Sequence, residues 1–185
     1  MLFTRLLRQI MSWGKLLQPD LILEGSILGL TPDLIEQHQL RGLVLDVDET
    51  LVPITTAQTS AELLPWVEQV RQVTDIWLVS NNISEPRIKR IAEILKTPYI
   101  VGAGKPSRRK LRRAVEAMNL RPEQVGMVGD RLFTDVLAGN RLGMFTILVQ
   151  PMIDPASEVA RRYPVHALEV WLSQALGATL TPHKP

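Results

Sequence analysis

From residue 42 onward, short runs that are apolar on both faces alternate with longer stretches whose apolar positions fall at helical spacing. Residues 42–47 form the first run. A polar loop follows, then a helical pattern over 61–73, with Thr59 and Glu62 at capping-box spacing at its start. The run DIWLVS, residues 75–80, predicts a second strand. Ile88, Ile91 and Leu95 predict a helix beginning near Ser84. Residues 99–101 predict a brief strand, and Ser107 is placed to cap a helix carrying Leu111, Ala114, Val115 and Met118 on one face. Strands follow over 125–128 and 144–149, with a helix over 132–140 between them. Apolar runs separated by helices describe an open, mainly parallel sheet covered on both faces, with right-handed crossovers.

The pattern divides the chain into three parts: an amphipathic N-terminal segment (1–29), an α/β core (30–150), and a helical C-terminal appendage with a tail (151–185). Pro151 and Pro155 mark the loop into the appendage, and residues 181–185 are expected to fray. At about 100° per residue, Leu2, Phe3, Leu6, Leu7, Ile10, Met11, Trp13 and Leu17 cover one half of a wheel. Arg5, Arg8, Gln9, Ser12 and Lys15 take the other half, with Leu16 the exception. Such a helix suits a membrane interface or packing on protein, and the segment alone does not choose. At ~25 Å it is too short to span a hydrocarbon core of ~30 Å.

Composition narrows the chemistry. The chain of 185 residues is 45% hydrophobic and 22% charged, ordinary for a soluble globular protein. It has no cysteine, which excludes disulfides, thiolate zinc sites and cysteine nucleophiles and fits a reducing, cytoplasmic compartment. A net charge of +2 gives no reason to expect nucleic acid. Ten Lys and Arg residues but one acid, Glu93, lie between Arg87 and Arg113. They form either a solvated face or a surface toward an anionic partner.

The first strand raises the chemical question. LVLDVDETLVPI, residues 43–54, ends a buried-looking run in Asp46, Asp48 and Glu49. Clustered carboxylates repel one another and lose hydration, so a structural strand end has little use for them. They can hold a metal ion, or one can attack an electrophile. Three more strand ends carry polar groups: Ser80-Asn81-Asn82, Gly104-Lys105-Pro106, and Gly129-Asp130 leading to Asp135. In a parallel sheet these fall where such folds bind ligands. Gly102-Ala103-Gly104-Lys105 is not a nucleotide loop, because Tyr99 stands where the leading glycine belongs and Pro106 follows the lysine. His38, His166 and His183 show no ligand spacing.

Taken in order, the four elements resemble the haloacid dehalogenase (HAD) superfamily of aspartate-nucleophile phosphotransferases. GDRLFTDVLAGNRLGMFTILVQP resembles more narrowly the YqeG-type IIIA phosphatases and their mitochondrial phosphatidylglycerophosphate phosphatase relatives. The resemblance implies a HAD-like Rossmannoid three-layer sandwich and a Mg²⁺ cofactor. It implies Asp46 as nucleophile and metal ligand, with Asp130, Asp135 and the backbone carbonyl of Asp48 completing the metal site. Asp48, two residues on and facing the same side, is the candidate general acid and base. Thr50, Ser80 and Asn81 with nearby amides, and Lys105, are expected to bind phosphate oxygens, Thr50 also steadying its loop. Glu49 takes no role, since Asn and Gly also occur there in the superfamily.

Only 29 residues separate Thr50 from Ser80 and 24 separate Ser80 from Lys105, so no cap domain of ordinary size fits. An open site suits bulky substrates. The leading expectation is a phosphorylated lipid headgroup, phosphatidylglycerophosphate, met by a peripheral protein at the cytoplasmic face of an anionic membrane. Alternatives are a soluble phosphometabolite, nucleotide or phosphoprotein, or a non-catalytic phosphate sensor. Oligomeric state is not expressed in these patterns.

Overall fold

In the computed structural model, which describes residues 13–53, 60–152 and 163–180, the acidic strand is the centre of the sheet. This strand, β2 (Gly42–Leu45), is buried throughout and lies between β3 (Asp75–Val79) and β5 (Val125–Gly129). With β1 (Leu21–Ile22), β4 (Tyr99–Ile100) and β6 (Phe145–Leu148), the sheet has six strands in the order β1-β6-β5-β2-β3-β4. Every pairing is parallel.

Side chains alternate across a strand, so β2 feeds two cores. Leu43 and Leu45 pack with Ile35 of α1 (Pro32–Gln37), with Leu63, Trp66 and Val70 of α2 (Leu63–Val70), and with Ile88, Ile91 and Leu95 of α3 (Glu85–Leu95). Val44 points the other way, to Leu111, Ala114 and Val115 of α4 (Arg109–Ala117) and Ala138 of α5 (Leu137–Leu142). This is the expected three-layer α/β sandwich. Each fully buried leucine or isoleucine contributes ~1.5–3 kcal/mol relative to exposure, which makes β2 the hardest element to disturb.

The structure extends the expected sheet. β1 lies within 1–29, so the sheet begins before residue 30. Two residues are too short to show a period, and the strand is held from outside. Asp20 accepts from the backbone N–H of Thr146 at 2.7 Å and from its hydroxyl at 3.0 Å. α1 was also absent from the expected pattern, although Thr31 caps it by accepting from the Leu34 N–H, with Pro32 in its first turn.

Other boundaries shift. The helix expected over 61–73 is α2, shorter at both ends, and Thr59 lies outside the described residues. The helix expected over 132–140 opens as a π-helical turn (Leu132–Val136) before α5. A helix, α6 (Tyr163–Ala175), occupies the C-terminal appendage. Residues 1–12, Pro155 and 181–185, on which the amphipathic, loop and fraying expectations rest, lie outside the described residues. No helix of the described residues is long and apolar enough to cross a membrane.

Candidate active site

An all-parallel sheet puts every strand's carboxyl end on one edge. Asp46 follows β2, Ser80 follows β3, Lys105 lies in the loop after β4, and Asp130 follows β5. The edge holds a cleft of about 200 Å³ whose walls include Asp46, Asp48, Asn81, Lys105, Asp130 and Arg131.

Lys105 organises its floor. Its ammonium is buried, 2.6 Å from Asp46 Oδ1, 2.7 Å from Asp135 Oδ1 and 2.9 Å from the carbonyl of Val79. Burial by itself would lower the lysine pKa, but Asp135 and Asp46 outweigh it and the value is raised. Asn81 fixes the lysine's backbone from both sides: its Oδ1 accepts the Lys105 N–H at 2.7 Å and its Nδ2 donates to the Lys105 carbonyl at 3.1 Å.

Asp46, Asp130 and Asp135 are all buried and bring carboxylate oxygens within 4.8 Å of one another. Three such acids against one ammonium leave an excess of buried negative charge. Burial, aided by Asp135 and Asp130, pushes Asp46 up to about 8 against the opposing pull of Lys105. A donor set made only of hard oxygens, in charge excess, fits a hard divalent cation such as Mg²⁺.

The two hydroxyls expected at the phosphate are each hydrogen-bonded to a carboxylate. Thr50 is fully buried and donates to Asp130 Oδ1 at 3.1 Å. Ser80 is fully buried too; it donates to Asp48 Oδ2 at 3.1 Å and accepts the Asn82 N–H at 2.9 Å. A buried hydroxyl needs a partner, and here the nearest strong acceptors are the carboxylates. Both therefore orient acids of the site. The Asp48 carboxylate stands apart from the buried trio, held by Ser80 and by an ion pair to Arg87. Arg87 also donates to the Pro53 carbonyl at 3.0 Å.

Two backbone features shape the loops. Glu49 adopts φ +66°, in the left-handed region that favours Gly and Asn. After β5, the π-helical turn folds Asp135 back over Gly129. A Cβ on Gly129 would meet Asp135 Oδ2 at 2.3 Å and its Cβ at 2.6 Å, so only glycine leaves room for the acid. Asp135 Oδ2 also accepts the Arg131 N–H at 3.2 Å.

Sequence patterns did not mark Arg87, Arg131 or Glu169. Arg87 stood in the basic run, and Arg131 inside the Gly129–Asp135 motif, without assigned roles. Glu169 gave no signal, being 38 residues from Arg131, yet its Oε1 accepts from Arg131 Nε at 2.9 Å and also from Nη2. Its Oε2 accepts the Leu132 N–H at 3.3 Å.

The HAD-hydrolase-like family model matches residues 102–168, the part that carries Lys105, Asp130 and Asp135. Over 148 residues the chain is 35% identical to the probable phosphatase YqeG of Bacillus subtilis (strain 168), covering 80% of this chain and 85% of that protein. The chain belongs to the HAD-like phosphatase family.

This HAD-like phosphatase also matches dihydroxyacetone phosphatase of Corynebacterium glutamicum (strain R), 37% identical over 73 residues, but those span 40% of the chain and only 26% of that protein. Among solved structures, a protein from Listeria monocytogenes serotype 4b superposes with a TM-score of 0.51 at 18% identity, covering 74% of this chain and 99% of its own. The 2-haloacid dehalogenase of Pseudomonas syringae pv. Tomato DC3000 superposes at 0.50 with 12% identity, covering 71% and 99%. At such identities the likeness is one of fold.

Proposed function

We propose that the protein hydrolyses a phosphomonoester through an aspartyl-phosphate on Asp46, with Mg²⁺ held by Asp46, Asp130 and Asp135. The observation that carries this reading is the buried trio beside Lys105, with Asp48 two residues from Asp46 at the same cleft. A bound Mg²⁺ supplies positive charge that offsets the repulsion between the phosphate dianion and Asp46.

A carboxylate oxygen of Asp46 forms a bond to phosphorus as the ester P–O bond breaks. Asp48 gives its proton to the leaving alkoxide. Asp48 then takes a proton from a water whose oxygen attacks phosphorus, and the Asp46–phosphorus bond breaks to release inorganic phosphate. Lys105 keeps its positive charge throughout, and Thr50 and Ser80 hold Asp130 and Asp48 in place.

For substrate we infer phosphatidylglycerophosphate, met by a peripheral protein at the cytoplasmic face of an anionic membrane. Three things support this. The 129–151 stretch resembles the lipid-phosphatase subgroup. Between Thr50 and Lys105 the described elements are only α2, β3, α3 and β4, an interval that leaves no room for a cap domain of ordinary size. The N-terminal segment is basic and amphipathic. A second reading, a soluble phosphometabolite, is favoured by the short match to dihydroxyacetone phosphatase. Phosphate release measured on lipid, triose, nucleotide and peptide phosphates, with Mg²⁺ and with chelator, tests both. Higher kcat/KM on a soluble ester, with no response to vesicles, rejects the lipid. No turnover on any ester rejects the phosphatase.

A further inference from the structure

Arg131, in the cleft wall, is tied to the C-terminal helix. Its guanidinium is fixed along one edge by Glu169 of α6, whose side chain is 9% exposed, while the arginine side chain remains 37% exposed. Nε and Nη2 are taken by Glu169. Nη1 has no hydrogen-bond partner among the described residues, and the arginine borders the cleft. The other cation of the wall, Lys105, is committed to Asp46 and Asp135. Apart from these two, the charged groups of the wall among the described residues are acids: Asp46, Asp48, Glu49 and Asp130.

We propose that Arg131 is a specificity residue that binds a second anionic group of the substrate, a phosphodiester or carboxylate on the leaving-group side of the scissile phosphate. This rests on the phosphomonoesterase reading of the same cleft and adds the class of ester it takes. An acidic wall repels a second anion, so a substrate that carries one needs a fixed cation where the anion lands. A guanidinium presents paired donors matched to phosphate oxygens. Glu169 has already restricted the side chain, so less freedom is lost on binding. Glu169 is thus a positioning residue that acts through Arg131, and the C-terminal helix is part of the recognition apparatus.

The test uses the full chain with Mg²⁺ and three esters: glycerol 3-phosphate, the soluble glycerophosphoglycerol phosphate with its added phosphodiester, and the diacyl form of the latter in vesicles. The wild-type protein is expected to show a KM about tenfold to a hundredfold lower for glycerophosphoglycerol phosphate than for glycerol 3-phosphate, the scale of a hydrogen bond to a charged group. Arg131→Met is expected to bring that KM ratio close to one, with the change in KM rather than kcat. Arg131→Lys keeps charge without the fork and is expected to restore part of the ratio, and Glu169→Gln to fall between wild type and Arg131→Met. Circular dichroism and a thermal melt check that each variant folds. Turnover with no wild-type preference overturns the inference and leaves the phosphatase reading standing. A preference unchanged in all three variants, or proportional slowing of all esters, overturns it as well. A preference seen only with vesicles assigns the selectivity to the surface and overturns it. Failure to hydrolyse any ester overturns both readings.

Discussion

Lys105 Nζ lies 2.6 Å from Asp46 Oδ1 inside the protein, and the lysine side chain is 1% exposed. The pair ties the loop after β4 to the end of the central strand. The same ammonium reaches Asp135 at 2.7 Å. Lys105→Met removes the cation and leaves the acids facing one another. Breaking a buried pair from one side costs ~3–5 kcal/mol, so urea unfolding of the metal-free variant is expected to show a loss on that scale. A loss under 1 kcal/mol would mean that the acids do not depend on this lysine.

Asp46→Asn is expected to abolish turnover while the protein stays folded, because the amide cannot form the phosphoryl ester. Asp48→Asn should retain some activity, reduced ~10²–10⁴-fold, the usual contribution of acid–base catalysis. Rapid-quench labelling of Asp46 with radioactive phosphate checks the intermediate. Full activity in Asp46→Asn, free of contaminating phosphatase, would rule out the covalent route.

Thr50, fully buried, holds Asp130, the proposed metal ligand, in place. Thr50→Val keeps the shape and deletes the hydrogen bond to Asp130 Oδ1. The Mg²⁺ concentration for half-maximal activity is expected to rise ~10–100-fold. Calcium should substitute poorly in the wild type, since its larger, looser shell misplaces the attacking carboxylate. Activity that survives exhaustive chelation would remove the metal from the account.

Asp46 makes metal-free stability depend on pH. In the folded protein it is pushed from 3.8 to about 8, so between these values the folded state binds a proton that the unfolded chain has released. Stability therefore falls as pH rises across that window, by at most roughly 1.4 kcal/mol per pH unit from this group, and levels off above it. The wild type with chelator should show a steeper decline from pH 5 to 8 than Asp46→Asn. Mg²⁺, which favours the ionised acid, should flatten it. Identical slopes for wild type and variant would show that Asp46 is not protonated there.

Gly129→Ala tests the close approach of Asp135. With a Cβ 2.3 Å from the carboxylate oxygen and 2.6 Å from the Asp135 Cβ, the turn after β5 has to move. Activity and melting temperature are both expected to drop. A variant as active and stable as wild type would show that the turn tolerates displacement.

Much of this was legible from the chain alone. Residues 42–47, 75–80 and 125–128 announced themselves because strands buried on both faces are apolar throughout, and the helices between them repeat at 3.6 residues. Once the sheet is parallel, the strand-end groups Asp46, Ser80, Lys105 and Asp130 must share an edge, so the composition of the site followed from local pattern. Other features had no local sign. β1 is two residues long and is held by Asp20 reaching Thr146, a contact across 126 positions. Motif spacing brings the Thr50 and Ser80 hydroxyls near the site but does not give their rotamers. Only burial beside Asp130 and Asp48 turned each toward a carboxylate. Glu169 is an ordinary acid in an ordinary helix until α6 packs against the π-helical turn and brings it to Arg131. Periodicity and motif order are short-range properties, written into neighbouring residues. Which polar groups meet in a buried place depends on how distant elements pack, because each must find its partner there once water is excluded.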